Sequence, residues 1–357
     1  MNLKSKMILE EYQREKANFI TLGNVVNSKL REMIKENHMN VLAVEHRVKE
    51  EQSLIGKLEI KGDKYNSLSE ITDILGARVV SFFCDDVDEI AMHIEKMFDV
   101  DWENSVDKRA QLSPDAFGYL SLHYICSLPS DGQYPKEICD KKFEIQIRSS
   151  LQHTWSSINH DLGYKSEFGV PRDIVREFSR IAGLLEIADE QFAHIKKSMA
   201  DYGHDVRKRI ADDQAENLGI DIVSLNEYVL SNKKMRKFLN ALAAICGAEI
   251  SNIDPQSYIE QLSWLGMKTL GDLQDMLKRN EDTALALAEC SLRDTELDIL
   301  SSTVGLRFLC RAELLTKGYT NEQVAEFIFL STGDEARAKR QAKRLLSQYD
   351  SLRGEQA

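Results

Sequence analysis

The chain reads as two halves of different class, an α/β half to about residue 165 and an all-helical half after it. Two observations predict this. In the first half, short runs of period two, with apolar residues alternating against polar ones, are interleaved with runs of helical period. After Pro171 only spacings of three and four remain. At 357 residues the chain is too long for one ordinary core, so two or three domains are expected.

Composition narrows the class. Hydrophobic residues at 43% and charged ones at 29% describe a globular, not a disordered, protein. No run of about 18 apolar residues is present, so no membrane span is expected. The start, MNLKSKMILEEYQREK, lacks the apolar core of a signal peptide, and a cytoplasmic location is expected. Cys84, Cys126, Cys139, Cys246, Cys290 and Cys310 form no CxxC and no Cys/His cluster, which disfavours a zinc module or a disulfide framework. A net charge of −12 disfavours a broad nucleic-acid surface but leaves room for a local basic pocket.

Residues from about 7 to 36 predict a helix, with Tyr12, Phe19, Leu22, Val26, Leu30 and Met33 as its apolar stripe. Val41 to Val44 reads as a strand, and Arg47 and Lys49 follow at strand spacing. A helix from about Glu50 sets Ser53 and Lys57 one turn apart. Arg47, Lys49, Ser53 and Lys57 thus gather three cations and a hydroxyl about a strand end and a helix N-terminus, where phosphate binds readily. A solvated charged helix is the alternative, since Glu50 and Glu51 sit among them.

Leu68 to Leu75 reads as a short helix, Ala77 to Phe83 as a central strand, Asp85 to Phe98 as an amphipathic helix and Trp102 to Lys108 as a further strand. Asp73 and Arg78 flank the turn into the central strand. In GYLSLHYICSL, Tyr119, Ser121 and His123 alternate with Leu120, Leu122 and Tyr124. Pro129 to Lys142 reads as a loop. In FEIQIR, Phe143, Ile145 and Ile147 face one way and Glu144, Gln146 and Arg148 the other. A helix follows with Leu151, Trp155, Ile158 and Leu162 as its stripe and His153, Ser156 and His160 on the flank. Several strands with polar residues at period two point to a site on one face of a sheet.

RVKEEQSLIGK, DILGARVV, GYLSLH, FEIQIR and the HDLGYK ending, in that order, resemble the synthetase domain of RelA/SpoT-type alarmone synthetases over about residues 40 to 167. The resemblance implies a mixed β-sheet of nucleotidyltransferase-like type flanked by helices. It also implies transfer of the β,γ-pyrophosphate of ATP to the ribose 3′-hydroxyl of GDP or GTP, giving (p)ppGpp and AMP. By the same resemblance, Arg47 and Arg78 sandwich the adenine, and Lys49, Ser53 and Lys57 hold the ATP phosphates. Asp73 and Glu144 carry Mg²⁺, with Glu144 also placed to accept the acceptor hydroxyl's proton. Tyr119 stacks on the acceptor's base and His123 approaches the phosphates, while Gln146 and Arg148 match the motif on the acceptor side.

The chain departs from the pattern at Asp115-Ala116-Phe117, where many relatives have a basic and a small polar residue before Gly-Tyr. This bears on the acceptor's 5′-phosphates. One rival is therefore a toxic relative that pyrophosphorylates the 3′ end of tRNA, with the C-terminal region as its restraint. A second rival is an inactive nucleotide-binding regulator, against which the presence of both Asp73 and Glu144 speaks. His160-Asp161 and His204-Asp205 lack the upstream His of a hydrolase metal site.

The expected organisation is an N-terminal helix (1–40), the synthetase domain (41–170), a long heptad-patterned helix (171–212) and a helical C-terminal region (213–357). From Ile174 through Phe178, Ile181, Leu185, Ala188, Phe192, Ile195, Met199 and Tyr202 to Val206 the spacing is that of a coiled-coil seam. It predicts packing on the N-terminal helix or on a second subunit, that is, a homo-oligomer built through those two helices. The basic run Arg337 to Arg344 reads as a solvated helix face or a contact for nucleic acid or a partner.

Overall fold

A computed structural model describes residues 2–113, 117–118, 121–130, 132–163, 171–293 and 295–355. They form two compact units, Met1–Lys196 and Lys197–Ala357.

The first unit opens with α1 (Leu3–Glu36), capped by the Asn2 side chain. β1 (Val41–Val48), α2 (Glu51–Lys61), β2 (Leu75–Ser81) and α3 (Asp86–Met97) follow. Then come β3 (Asp99–Val100), β4 (Val106–Asp107), α4 (Lys108–Gln111), β5 (Leu122–Ser127), α5 (Lys136–Cys139), β6 (Phe143–Ser149), α6 (Ser150–Gly163) and the first part of α7 (Arg172–Ala211), whose residues after Lys196 belong to the second unit. The sheet is mixed, in the order β1-β2-β6-β5-β3, with β4 paired to β5. Only β2 and β6 run parallel; the other pairs are antiparallel.

One face of this sheet is dry. Ala77 and Val79 of β2, Phe143, Ile145 and Ile147 of β6, and Tyr124 and Cys126 of β5 share a core with Tyr12, Phe19, Leu22, Val26 and Leu30 of α1. The apolar stripe of α1 is therefore used inside its own unit. The alternation of FEIQIR leaves Glu144 and Gln146 on the opposite face, half-buried.

Four local expectations differ from the structure. Leu68 to Leu75 is a single 3-10 turn, Leu68–Glu70, then a turn through Asp73 before β2 begins at Leu75. The 71 and 74 positions mimic helical spacing because Ile71 and Ile74 both enter the core. Trp102 to Lys108 is a turn with only the short β4 at its end, closed by Asp101 accepting from the Ser105 hydroxyl and amide. Within Pro129 to Lys142 lies the short α5, whose Ile138 and Cys139 are buried. Along α7 the seam is largely open within the first unit: Ile174, Ile181, Phe192 and Ile195 are exposed and Phe178 is half-buried.

The second unit holds α8 (Ile222–Ser231), α9 (Lys233–Cys246), β7 (Glu249–Ser251), α10 (Ile259–Trp264), α11 (Leu270–Leu292), β8 (Ile299–Ser301), α12 (Val304–Thr316), α13 (Asn321–Thr332) and α14 (Glu335–Glu355) around one apolar core. Capping boxes at Asp221, Thr269 and Thr320 start α8, α11 and α13. The six cysteines are all free. Among the described residues no helix is long and apolar enough to cross a membrane.

Candidate active site

Register across four strands builds the floor of a cavity. Glu45 of β1 lies opposite Arg78 of β2, Arg78 opposite Gln146 of β6, and Gln146 opposite His123 of β5. The next row runs Arg47, Gly76, Glu144, Ile125. Side chains two residues apart share a face, so both rows present their polar groups on the side away from the core. Glu45, Arg47, Lys49, Ser53, Asp73, Gly76, Arg78, Glu144 and Gln146 all line a cavity of about 420 Å³.

Gly76 is what opens it. A Cβ there would meet nothing within 4 Å, so the space between Arg47 and Glu144 is left free by the absence of a side chain.

At the mouth of α2, Asp73 holds two lysines. Its Oδ1 accepts from Lys57 at 2.6 Å and its Oδ2 from Lys49 at 3.0 Å. Burial alone would raise the Asp73 pKa, but the hydrogen bonds and charges of the two lysines outweigh it and hold the carboxyl below its usual range. Lys57, although burial opposes it, is pushed above the usual lysine value by the same contact with Asp73. The Lys57 ammonium also lies 5.5 Å from the centre of the Tyr65 ring.

Glu144 is organised differently. Its Oε1 is in direct contact with His123 Nδ1, and an ionised carboxylate can only accept, so that nitrogen carries the hydrogen. Burial pushes the Glu144 pKa up, and the Asp73 charge adds to that. The hydrogen bond and charge of His123, aided by Gln146, prevail and lower it. Glu144 is therefore ionised at neutral pH, and it senses the charge of Asp73 across the cavity.

Arg78 Nη1 lies 3.4 Å from Glu45 Oε2. This cross-strand tie fixes the guanidinium at its edge and leaves its flat faces unoccupied by the carboxylate. Arg47 is exposed at the rim.

Three expectations about this face change. Arg148 is buried to 2% and does not line the cavity with Glu144 and Gln146. Of the two imidazoles predicted beside it, only His153 is in place. Burial, then the charges of Arg148 and Arg78, hold the His153 pKa below the usual histidine value, so its ring is neutral near pH 7. His160 is exposed, two turns further along α6. Ser121 is fully buried rather than facing a site. Tyr119, Asp115 and Ala116 lie outside the described residues, as do Tyr164 and Lys165 of the HDLGYK ending. Phe117, just upstream of Tyr119, rests on α7: a Cβ at Gly183 would stand 2.9 Å from its ring.

Sequence reasoning missed two members of the site. Tyr12, buried in the α1 stripe, donates its hydroxyl to the Lys49 carbonyl at 2.5 Å and so fixes the backbone that carries Lys49. Nothing but its polar tip distinguished it from a core aromatic. Glu45 carried a signal, since it shares the period-two face of Arg47 and Lys49.

The donor set fits a hard divalent cation only in part by protein groups. Asp73 and Glu144 offer two carboxylates on one cavity, which is the share of ligands that Mg²⁺ commonly takes from a protein when substrate phosphates and water supply the rest. Among the described residues no group of three or more acidic, His or Cys side chains forms a closed metal cage.

The pattern for the region found in RelA / SpoT proteins matches residues 46–168. The chain is 26% identical to the GTP pyrophosphokinase YwaC of Bacillus subtilis over 202 residues, covering 54% of this chain and 94% of that protein. It is 26% identical to the GTP pyrophosphokinase YjbM of the same organism over 166 residues, covering 45% of this chain and 75% of that one. Among solved structures it is similar to the small alarmone synthetase 1 from Bacillus subtilis bound to its product pppGpp, with 23% identity and a TM-score of 0.47, over 54% of this chain and 99% of that one.

Proposed function

We propose, from the match of residues 46–168 to the region found in RelA / SpoT proteins, that the chain is a pyrophosphotransferase that moves the β,γ-pyrophosphate of ATP to the ribose 3′-hydroxyl of GDP or GTP. The observation that carries this reading is the pair of cross-strand rows that line one cavity with guanidinium, amide and carboxylate, closed at one end by the Lys49–Asp73–Lys57 cluster. Similarity to two GTP pyrophosphokinases supports the same reaction class.

Arg78, edge-fixed by Glu45, and Arg47 at the rim take the adenine between their planes. Lys49, Ser53 and Lys57 take the triphosphate. Asp73 and Glu144 would hold Mg²⁺, which would supply charge neutralisation on the transferring phosphates. Lys49 and Lys57, held on Asp73 without substrate, then have phosphate oxygens as alternative partners. The acceptor's 3′-oxygen attacks the β-phosphorus, the bond from the α,β-bridging oxygen to the β-phosphorus breaks, and AMP leaves with that oxygen. Glu144, ionised and oriented by His123, receives the hydroxyl proton. Tyr119 stacks on the acceptor base, and Gln146 and His123 border the acceptor side of the row. Arg148, buried, acts through its charge on His153. The reaction belongs in the cytoplasm, where these nucleotides are. The exposed apolar side chains of α7 support self-association through that helix rather than through α1.

The test is transfer itself. Purified chain with ATP labelled in the β and γ positions, Mg²⁺ and either GDP, GTP or bulk tRNA should label the free guanosine nucleotides. Label in tRNA alone would move the reaction to the tRNA end, and no label anywhere would leave a nucleotide-binding regulator.

A further inference from the structure

β1 ends the order of the sheet, so one of its two edges has no strand beside it among the described residues. The backbone groups on that edge can be named. The Lys49 amide donates to the Ile74 carbonyl on the β2 side. Peptide groups alternate in direction along a strand, so Glu45 and Arg47 also turn theirs to β2, while Val44, His46 and Val48 turn theirs outward. The Val44 carbonyl accordingly takes a partner outside the sheet, Arg31 Nη2 at 2.9 Å. Upstream, the pairing with β2 shifts between Val41 and Ala43, and Leu42, the extra residue, is 51% exposed.

The end of α1 stands against this edge. Arg31 and Lys35 lie one turn apart, and His38 follows in the turn out of the helix, at φ 52°. All three line one cavity of about 490 Å³ with Leu42 and Val44, and its lining holds no acidic residue. Arg31 and Lys35 make no ion pair among the described residues. Ile34 and Met39, half-buried, form its apolar part.

These features select an occupant. Two unpaired cations would serve any anion, but the strand edge is narrower in what it accepts. It presents donors and acceptors in alternation, and a phosphate or a nucleic-acid backbone offers acceptors only. An extended polypeptide offers both and leaves its side chains to reach the cations. We propose that the outer edge of β1 binds an extended acidic segment of a partner protein as an added strand, with acidic side chains at Arg31 and Lys35. The side chains of the outward-bonding residues lie on the α1 side: Val44 shares the core of α1, and a Cβ at Gly23 of α1 would stand 2.8 Å from the His46 ring. In an antiparallel addition the residues opposite them point the same way and carry the pairing groups. The acidic residues are then the ones that pair. This cavity shares no residue with the catalytic one, so binding here is independent of the reaction proposed above.

The test is fluorescence anisotropy with the full chain and an end-labelled, eight-residue peptide of alternating Glu and Thr. It should bind, and the peptide with Lys in place of Glu should not. Methylating the backbone nitrogens of the Glu residues should abolish binding, and methylating those of the Thr residues should spare it. The reverse result also supports an added strand, running parallel to β1. Lys35→Gln and Arg31→Gln should each weaken binding about fivefold, the upper weight of an exposed ion pair, and the loss should shrink as salt rises. The exposed Lys35 side chain bonds to nothing among the described residues, so its variant should melt as the wild type does and carries the result even where Arg31→Gln disturbs the edge. Equal binding of both methylated peptides would leave charge attraction alone. Binding unchanged in both variants would place the peptide elsewhere, and tighter binding in Arg31→Gln would make Arg31 a guard against added strands. A 30-nucleotide RNA that binds and is lost in Lys35→Gln, while the peptide does not bind, would give the surface to nucleic acid. Each of these four results overturns the proposal.

Discussion

Asp73 and Lys57 are joined at 2.6 Å, and each carries a pKa displaced in the direction that favours the ion pair. The sign of the pH dependence follows. A carboxylate lowered in the folded state contributes stability above its unfolded value, lost as pH falls through the folded one. A lysine raised in the folded state contributes below its unfolded value, lost as pH rises through the folded one. The contribution is thus complete between the ordinary Asp value of 3.8 and the ordinary Lys value of 10.5. Asp73→Asn should cost about 1–2 kcal/mol of stability at neutral pH, and the difference from wild type should vanish as pH falls below 3.8. Transfer should be lost in the same variant. Denaturant titrations at pH 7 and pH 3 check the first part; near-normal turnover would remove Asp73 from the chemistry.

Gly76 separates stability from function. Glycine within a strand costs roughly 0.5–1 kcal/mol relative to alanine, and a Cβ at this position meets open space. Gly76→Ala should leave stability unchanged or raise it slightly. Gly76→Val, reaching further into the cavity between Arg47 and Glu144, should weaken ATP binding on the order of tenfold, as a small misplacement of bound groups does. Calorimetry with a non-hydrolysable ATP analogue, beside thermal unfolding, reads both effects.

Tyr12→Phe removes only the hydroxyl that holds the Lys49 carbonyl. The expected stability loss is about 1 kcal/mol. Loosening of Lys49 should raise the KM for ATP several-fold and leave the acceptor KM unchanged. An unchanged ATP KM would confine Tyr12 to the core.

Much of this site was legible because strand alternation is a strict geometric rule. Glu144, Gln146, Arg47 and Lys49 each show their face by counting in twos. Pairing between strands was not legible. That Glu45 meets Arg78, and that Gly76 falls between Arg47 and Glu144, depends on register, which no single strand encodes. Arg148 shows the limit of alternation: its phase is that of Glu144, yet it is buried, because alternation names a face and not its exposure. The seam of α7 was legible as a pattern, although exposure of Ile181, Phe192 and Ile195 within the first unit was not, since spacing names a face without naming what covers it.

Arg78→Lys keeps the charge and loses the plane. If stacking on adenine is what Arg78 supplies, ATP affinity should fall by roughly tenfold. Tyr119→Ala should instead spare ATP binding and impair use of the acceptor. Loss of ATP affinity in Tyr119→Ala would reverse the two pockets.

Gly183 has no side chain to donate, accept or stack, yet it limits how this sequence can drift. Alanine would suit the helix better by about 0.5–1 kcal/mol, so mutation toward it meets no resistance from α7 itself. The resistance comes from Phe117, whose ring stands 2.9 Å from where the new carbon would be. A descendant that gains a side chain at 183 must move or shrink the residue at 117, on the loop that leads to Tyr119. The two positions are inherited as a pair, and a census of tolerated substitutions should find Gly183 restricted except where Phe117 has changed too.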